Sequence, residues 1–396
     1  MGIQGLSKLL NDNAPACSKE RTFESFFGRK IAVDASCHLY AFLVSVGRVG
    51  DQLLSNESGE TTSHLQGMFY RTVRMLEAGM QPVFVFDGKP PDLKKGTNQA
   101  RRDKKDEATE ALAKAKEAGD EEAVERFSKR TIKITPEMTS DCKRLLTLLG
   151  VPVVDALTEA EAQCAVMAKE GLVYAVATED MDALTFGSPK LIRHLTASQN
   201  SAQKPIEFDL AAALEGLGMD MGKFVDLCIM LGCDYTGNIR GIGPVKALTL
   251  IQKHGSIEKV IEELDLSKYP LPDPYPYKES RAFFLAPEVT PVSELPPMKW
   301  SLPDEEGLVQ FLVNEKLFAE DRVRKAVKRV LDSSGKAKQS RMESFFQVVP
   351  RAAPAGGSKP KEDDKKGGAK RKDAPGAKGA AGAKKGKSGV GGGKKK

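Results

Sequence analysis

Four short apolar runs rich in β-branched residues mark the first half of the chain: KIAVDAS (30–36), PVFVFDG (82–88), VPVVDA (151–156) and VYAVATED (173–180). Each is nearly continuous rather than alternating, the pattern of strands buried on both faces of a parallel sheet. The stretches between them, Thr61 to Gly79 and Thr139 to Leu149 among them, are long enough for crossover helices. The predicted class is α/β, a doubly wound, mostly parallel central sheet with helices on both faces.

Between the second and third runs charge replaces the apolar pattern. Residues 94–105 hold six basic residues and one acidic, 106–125 eight acidic and two basic, and 126–133 four basic and none acidic. Richness in Ala, Glu and Lys, broken at Ala118-Gly119-Asp120, predicts two helices joined by a turn. A solvated charged hairpin with i, i+4 pairs is the plainer account, but basic blocks at both feet favour a phosphate-facing insert. After residue 220, FVDLCIMLGCDYTGNIRGIGPVKALTLIQKHGSIEKVI reads helix, loop, helix, with Gly241-Ile242-Gly243-Pro244 at the turn. Such a turn frees backbone N–H groups for a phosphate, although taken alone it is better explained as a tight connection.

Composition changes this picture in one respect. The 396 residues carry a net charge of +6, but residues 351–396 hold 15 basic and 4 acidic, leaving 45 basic and 50 acidic residues, net −5, before them. A nucleic-acid argument for the body therefore needs local clusters rather than overall charge. The 350–396 tail of Lys, Gly and Ala cannot bury enough apolar surface to offset chain entropy and is expected to be disordered. Within it, AKRK around Arg371 reads equally as a nuclear-localisation patch or as part of a solubilising tail. No apolar run approaches the ~18 residues of a membrane span, and MGIQGLSKLL lacks a signal peptide's apolar stretch, so secretion and membrane insertion are not expected. Leu6 stands where N-myristoylation needs Ser or Thr. Six cysteines without a C-x-x-C pair predict reduced, mostly buried thiols.

The acids carry the strongest signal. Asp34 and Asp87 each end an apolar run and precede a small residue, Ala35 or Gly88; the third run leads into Glu159 and Glu161, the fourth into Asp180 and Asp182. Four successive strand ends thus deliver carboxylates to one edge of the sheet, and Asp234, before the glycine turn, adds another. Each has a plainer reading: Thr158 with Glu161 makes a capping box, and Asp at a strand end forms turns. The coincidence is what those readings leave unexplained. Crowded carboxylates repel unless cations neutralise them, and oxygen-only ligands select Mg²⁺ or Mn²⁺ over Zn²⁺. Two such ions ~3.5–4 Å apart form a clamp for phosphodiester hydrolysis.

The blocks MGIQGLSKLL, KIAVDAS, GETTSHLQGMFYRT, FVFDGKPP, EAEAQCA, ATEDMDALTFG, LGCDY and RGIGPVKA resemble, in order and over residues 1 to about 350, those of the eukaryotic flap endonucleases, structure-specific 5' nucleases of the XPG-like family. The resemblance implies seven metal-site acids, Asp34, Asp87, Glu159, Glu161, Asp180, Asp182 and Asp234, holding two Mg²⁺ ions for which Mn²⁺ can substitute. It implies that Lys94 and Arg101 stabilise charge on the scissile phosphate, that Tyr40 stacks on a base near the cut, and that Arg71 holds DNA backbone. Glu159, Gly232 and Asp234 would also lie against the substrate. Residues 92–133 resemble a helical arch past which a 5' strand is led. Residues 237–256 resemble a helix-two-turn-helix gripping duplex DNA through Gly241, Gly243 and Lys246, with a K⁺ held by carbonyls. The implied divisions are 1–106 and 134–256 for the nuclease, 257–335 for a C-terminal helical part. Two departures stand out: Gly47 replaces a usual Arg, leaving Arg48 beside it, and Val245 replaces a commonly basic residue, leaving Lys246.

Gln339, Met342, Phe345 and Phe346 have the Q-x-x-M-x-x-F-F spacing of a sliding-clamp binding box at 339–346. The partners expected are flap-structured DNA and the sliding clamp, proliferating cell nuclear antigen, with the chain a monomer and up to three on one trimeric clamp. The expected location is the nucleus, nucleolus included, with a mitochondrial pool left open. The implied activity is Mg²⁺-dependent cleavage of 5' flaps in Okazaki-fragment maturation and long-patch base excision repair, with 5'-to-3' exonuclease activity. Two alternatives remain at this stage: another 5' nuclease of the superfamily (a repair exonuclease or junction resolvase), and a catalytically silent, clamp-bound DNA scaffold.

Overall fold

A computed structural model describes residues 2–45, 48–49, 52–53, 62–197 and 203–335. The clamp-box residues Gln339, Met342, Phe345 and Phe346, the basic tail and the Arg48 side chain lie outside the described residues.

Nine strands occur among these: β1 (Ser18–Glu20), β2 (Lys30–Asp34), β3 (Arg48–Val49), β4 (Gln52–Leu53), β5 (Gln81–Phe86), β6 (Val153–Asp155), β7 (Ala175–Ala177), β8 (Lys190–Arg193) and β9 (Ile206–Asp209). Seven form one sheet in the order β1-β9-β8-β7-β2-β5-β6, and β3 pairs with β4 separately. The four apolar runs supply β2, β5, β6 and β7. β2 pairs in parallel with β5 and β7, as do β5 with β6 and β7 with β8. The antiparallel edge, β8-β9-β1, was not legible as strands because its segments are short and half polar.

Alternate residues of each central strand enter different cores, which is why their sequence does not alternate. Ala32, Val83, Val85 and Val176 face one cluster; Ile31, Val33, Phe84, Phe86, Ala175 and Ala177 face the other. The first cluster is closed by helices that include Ala160–Lys169, Met221–Leu231 and Pro244–His254. The second is closed by Ser63–Glu77, Pro136–Leu148 and Glu320–Gly335. With apolar area on both sides of the sheet removed from water at roughly 25 cal/mol per Å², the strand ends become fixed points from which loops can aim side chains.

The charged insert is the helix Lys95–Ala118 followed by Glu121–Arg130. Gly119, at φ 68°, ends the first in the left-handed region, and the Asp120 carboxylate accepts the Ala123 N–H to open the second. Cys17, Cys142, Cys164 and Cys228 are buried and Cys37 and Cys233 half-buried, all as free thiols. No described helix is long and apolar enough to cross a membrane.

Candidate active site

The carboxyl ends of β2, β5, β6 and β7 lie side by side, so the acids that follow them share one edge. A cleft of about 1110 Å³ opens there, lined by Asp34, Asp87, Glu159, Glu161, Asp180 and Asp234 at its floor and by Lys104, Ala108, Phe127 and Arg130 of the insert above. Asp182 is buried behind it, bonded to Asp180 through its own N–H at 3.1 Å. Tyr40, half-buried, lines this cleft and a second one toward the insert.

Three of the acids are held by donors from other segments. Asp34 accepts the Cys37 N–H at 3.0 Å and the Thr178 hydroxyl at 2.8 Å. Asp182 accepts the Ile3 N–H at 2.9 Å. Asp87 accepts the Ala160 N–H at 2.8 Å, which caps the helix Ala160–Lys169 from a neighbouring strand end. The capping box weighed as the plainer reading of Thr158 does not form: Glu159 is the cap residue, in extended conformation, and the Thr158 hydroxyl instead donates to the Glu288 carbonyl at 2.7 Å. An extended Glu159 ahead of a helical Glu161 lets two acids two apart line the same cleft. Asp180 and Asp182 solve the same problem with a turn before the short helix Asp182–Thr185.

Two cations reach this floor. Lys94 Nζ lies 2.5 Å from Glu159 and 3.1 Å from Asp234, and Arg101 lies 2.6 Å from Asp234. Burial works against the Asp234 charge, but Lys94 and Arg101 hold its carboxyl below the usual range. Burial also works against Lys94, yet Glu159, Glu161 and Asp234 raise it, so it stays an ammonium. At Asp34, Glu161 and Asp182 burial and mutual repulsion outweigh what relief there is. Burial, then repulsion from Asp87, pushes Asp34 up to about 7. Burial, then repulsion from Asp180, raises Glu161 and Asp182 well above the usual carboxylate range. Uncompensated buried charge in an all-oxygen donor set fits a divalent ion. Among the described residues no three acid, His or Cys side chains converge closely enough to hold one ion alone. An ion held here would draw part of its shell from water.

Gly2 and Ile3 were missed by residue-level reading, since nothing in a strand pattern points to them. Gly2 has φ 72°, and a Cβ there would fall 1.6 Å from the Asp180 carboxylate. Gly88 is equally constrained, its Cβ position lying 2.1 Å from the Ala156 carbonyl.

Away from the acids, Arg71 lies over the Phe42 ring at 4.1 Å, and burial, with Arg74 beside it, lowers its guanidinium to about 10. Gly232, at φ 92°, ends the helix Met221–Leu231, and Gly241, at φ 83°, packs against Tyr269. Gly243 opens the helix Pro244–His254 with nothing within 4 Å of its Cβ position, so its backbone is approachable. Lys246 lies 3.7 Å from the Tyr269 ring centroid and donates to its hydroxyl, while Val245 is 77% exposed.

A doubly wound sheet with an acid-lined edge beneath a basic helical insert is the architecture of an XPG-type nuclease. The XPG N-terminal domain matches residues 1–108 and the XPG I-region residues 150–234. Flap endonuclease 1 of Chlamydomonas reinhardtii is 62% identical over 363 residues, covering 92% of either chain. The solved flap endonuclease-1 from Methanococcus jannaschii matches with TM-score 0.64 and 35% identity, over 84% of this chain and 98% of that one. The catalytic core of Rad2 in complex with DNA substrate matches with TM-score 0.63 and 25% identity, over 81% and 98%. The chain belongs to the flap endonuclease family, and is a nuclease.

Two predictions follow from the acid floor. Gly2→Ala must displace Asp180, and a shift of about 1 Å at a reacting centre costs on the order of 100-fold, so nuclease turnover should fall by that scale while DNA affinity holds. Single-turnover cleavage beside equilibrium binding checks this, and unchanged cleavage would contradict it. The second concerns pH. Raised carboxyl pKa values mean that the fold favours the neutral acids, so stability from these groups is present below about 4, the usual Asp value, and is lost as pH rises through about 7 for Asp34. Divalent ions should therefore raise Tm more near pH 8 than near pH 5; scanning calorimetry with and without Mg²⁺ measures the two gains, and equal gains would contradict the assignment.

Proposed function

We propose that this chain cleaves 5' DNA flaps near the junction of single strand and duplex in a Mg²⁺-dependent reaction, with 5'-to-3' exonuclease activity, and serves Okazaki-fragment maturation and long-patch base excision repair in the nucleus. The observation that carries this is the floor of carboxylates delivered by four neighbouring strand ends, answered by two bonded cations and roofed by a helical insert with basic feet. The catalytic core of Rad2 is solved in complex with DNA substrate, which supports the same ligand here.

Asp34, Asp87, Glu159, Glu161, Asp180, Asp182 and Asp234 would hold two divalent ions. When bound, the ions supply activation of the attacking water and neutralisation of charge on the phosphate. Lys94 and Arg101 are drawn away from Glu159 and Asp234 by the incoming phosphate and donate to its oxygens, an interaction stronger in the transition state than in the ground state. Tyr40 offers a ring at the cleft mouth for a base to stack on. The insert, Lys95–Ala118 and Glu121–Arg130, leads the single strand past this mouth, its basic feet tracking the backbone. The helix Pro244–His254, opened at Gly243 beside Gly241, offers the N–H groups of its first turn after Pro244 and, with Lys246, Arg48 and Arg71, grips duplex phosphates, with a K⁺ held by carbonyls of the same turn. The 92–133 and 237–256 segments are thus the arch and the helix-two-turn-helix of the proposal. Through Gln339, Met342, Phe345 and Phe346 the monomer binds the sliding clamp, which raises its effective concentration at the junction. A catalytically silent scaffold is the less economical account, because all seven acids are retained.

The reading is tested by Asp182→Ala, which should leave flap binding intact and lower Mg²⁺-dependent cleavage by several orders of magnitude, the scale of lost metal-ion chemistry. Turnover near wild type would remove the two-ion assignment. For the clamp, replacing Phe345 and Phe346 by Ala deletes two anchors of about 1.5–3 kcal/mol each. The double variant should cut an isolated flap normally and gain no stimulation from added clamp; undiminished stimulation would show that these side chains serve something else.

A further inference from the structure

The helix that carries Glu161 and is opened by Glu159 is tied on its far side to a segment some 130 residues away in the chain. Gln163, fully buried on that helix, donates from Nε2 to the Thr290 carbonyl at 3.0 Å and accepts the Thr290 N–H at 2.9 Å. It pairs with one backbone residue as a neighbouring strand would. Thr158, immediately before Glu159, donates to the Glu288 carbonyl at 2.7 Å. Val289, between the two, packs against the core, so the segment is not a loose loop laid over the surface. On the near side the same stretch is tied to the Asp87 strand end: Gly88 N–H donates to the Thr158 carbonyl at 2.8 Å and Ala160 N–H to Asp87 at 2.8 Å. Glu159 and Glu161 thus sit on a short piece of backbone clamped from both sides, although the helix start has no side-chain cap of its own.

We propose that Glu288–Thr290 is a positioning element for the nuclease reaction, acting through Thr158 and Gln163 to hold Glu159 and Glu161 against the repulsion of the acids around them. It rests on the reading of those two glutamates as ion-holding residues. None of the bonds reaches the cleft, so the segment touches neither substrate nor ion. Its effect is on where two carboxylates stand when a divalent ion must find them in place, and partners one shell out from metal ligands shift ion affinity or activity by about 10- to 100-fold. Were the contacts merely part of the core, losing one would lower stability and leave ion affinity alone.

Thr158→Val and Gln163→Leu, each in the full chain, separate these outcomes, with Thr158→Ser as the variant that keeps the hydroxyl. Four quantities are read: Tm without ions, the Mn²⁺ concentration that half-saturates the ion-induced rise in Tm in the absence of DNA, single-turnover flap cleavage and flap affinity. The expected result is a Mn²⁺ half-saturation raised about 10- to 100-fold in both variants, cleavage lowered at sub-saturating ion, flap affinity unchanged, and Thr158→Ser restored to wild type. A fall in Tm alone, with Mn²⁺ half-saturation and cleavage as in wild type, overturns the proposal, as does a Thr158→Ser variant as impaired as Thr158→Val. Loss of folding in both variants also overturns it, since the contacts then serve the core. Wild-type protein that neither binds Mn²⁺ nor cleaves a flap overturns the functional reading itself, which distinguishes the two failures.

Discussion

Like charges crowded at one edge of a sheet are the constraint on which the rest of this molecule turns. Buried carboxylates cost several kcal/mol each unless they are paired or solvated, and here burial and mutual repulsion hold Asp34, Glu161 and Asp182 above their ordinary range. A fold can carry such a cluster only on a rigid frame. Two apolar cores, one on each face of the parallel strands, supply it.

The frame is tightened by segments remote in sequence. Ile3 from the N-terminus, Thr178 from the end of β7 and Ala160 from the helix after β6 each give a hydrogen bond to one acid, and Glu288–Thr290 holds the stretch that bears two others. Backbone N–H groups are well suited to this work because they are neutral donors fixed by the fold, so they orient a carboxylate without cancelling its charge. The charge itself is left to Lys94 and Arg101 and, in the proposed reaction, to divalent ions. Close packing of donors is also why glycine is needed at positions 2 and 88, where any Cβ would collide with an acid or a carbonyl.

The glycine turn proposed to grip duplex DNA follows a different logic. Gly241 takes a left-handed conformation against Tyr269, and Gly243 leaves open space at a helix start, so the approachable groups there are peptide N–H groups rather than a dense basic patch. Lys246 is held over Tyr269, which limits how many orientations its ammonium must give up on meeting a phosphate. The net −5 body is consistent with recognition by placed groups rather than by overall attraction.

Much of this was legible along the chain. Continuous β-branched runs announced strands covered on both faces, the position of Asp34, Asp87, Glu159 and Asp180 just after them announced an acidic edge, and Gly119-Asp120 announced the break in the insert, because these depend on local periodicity and turn chemistry. The antiparallel β8-β9-β1 edge was not legible, since three- and four-residue half-polar strands are defined by their partners and not by their own pattern. The plainer reading of Thr158 fails for the same reason: its local capping option is outcompeted by a carbonyl 130 residues away, a contact with no local trace. Sequence by itself determined which acids reach one edge of the sheet and in what class of fold. Only the tertiary structure decided which donors, glycines and cations hold them there, because those partners are brought together by packing across the whole chain, and the repulsion they answer exists only once the acids are buried side by side.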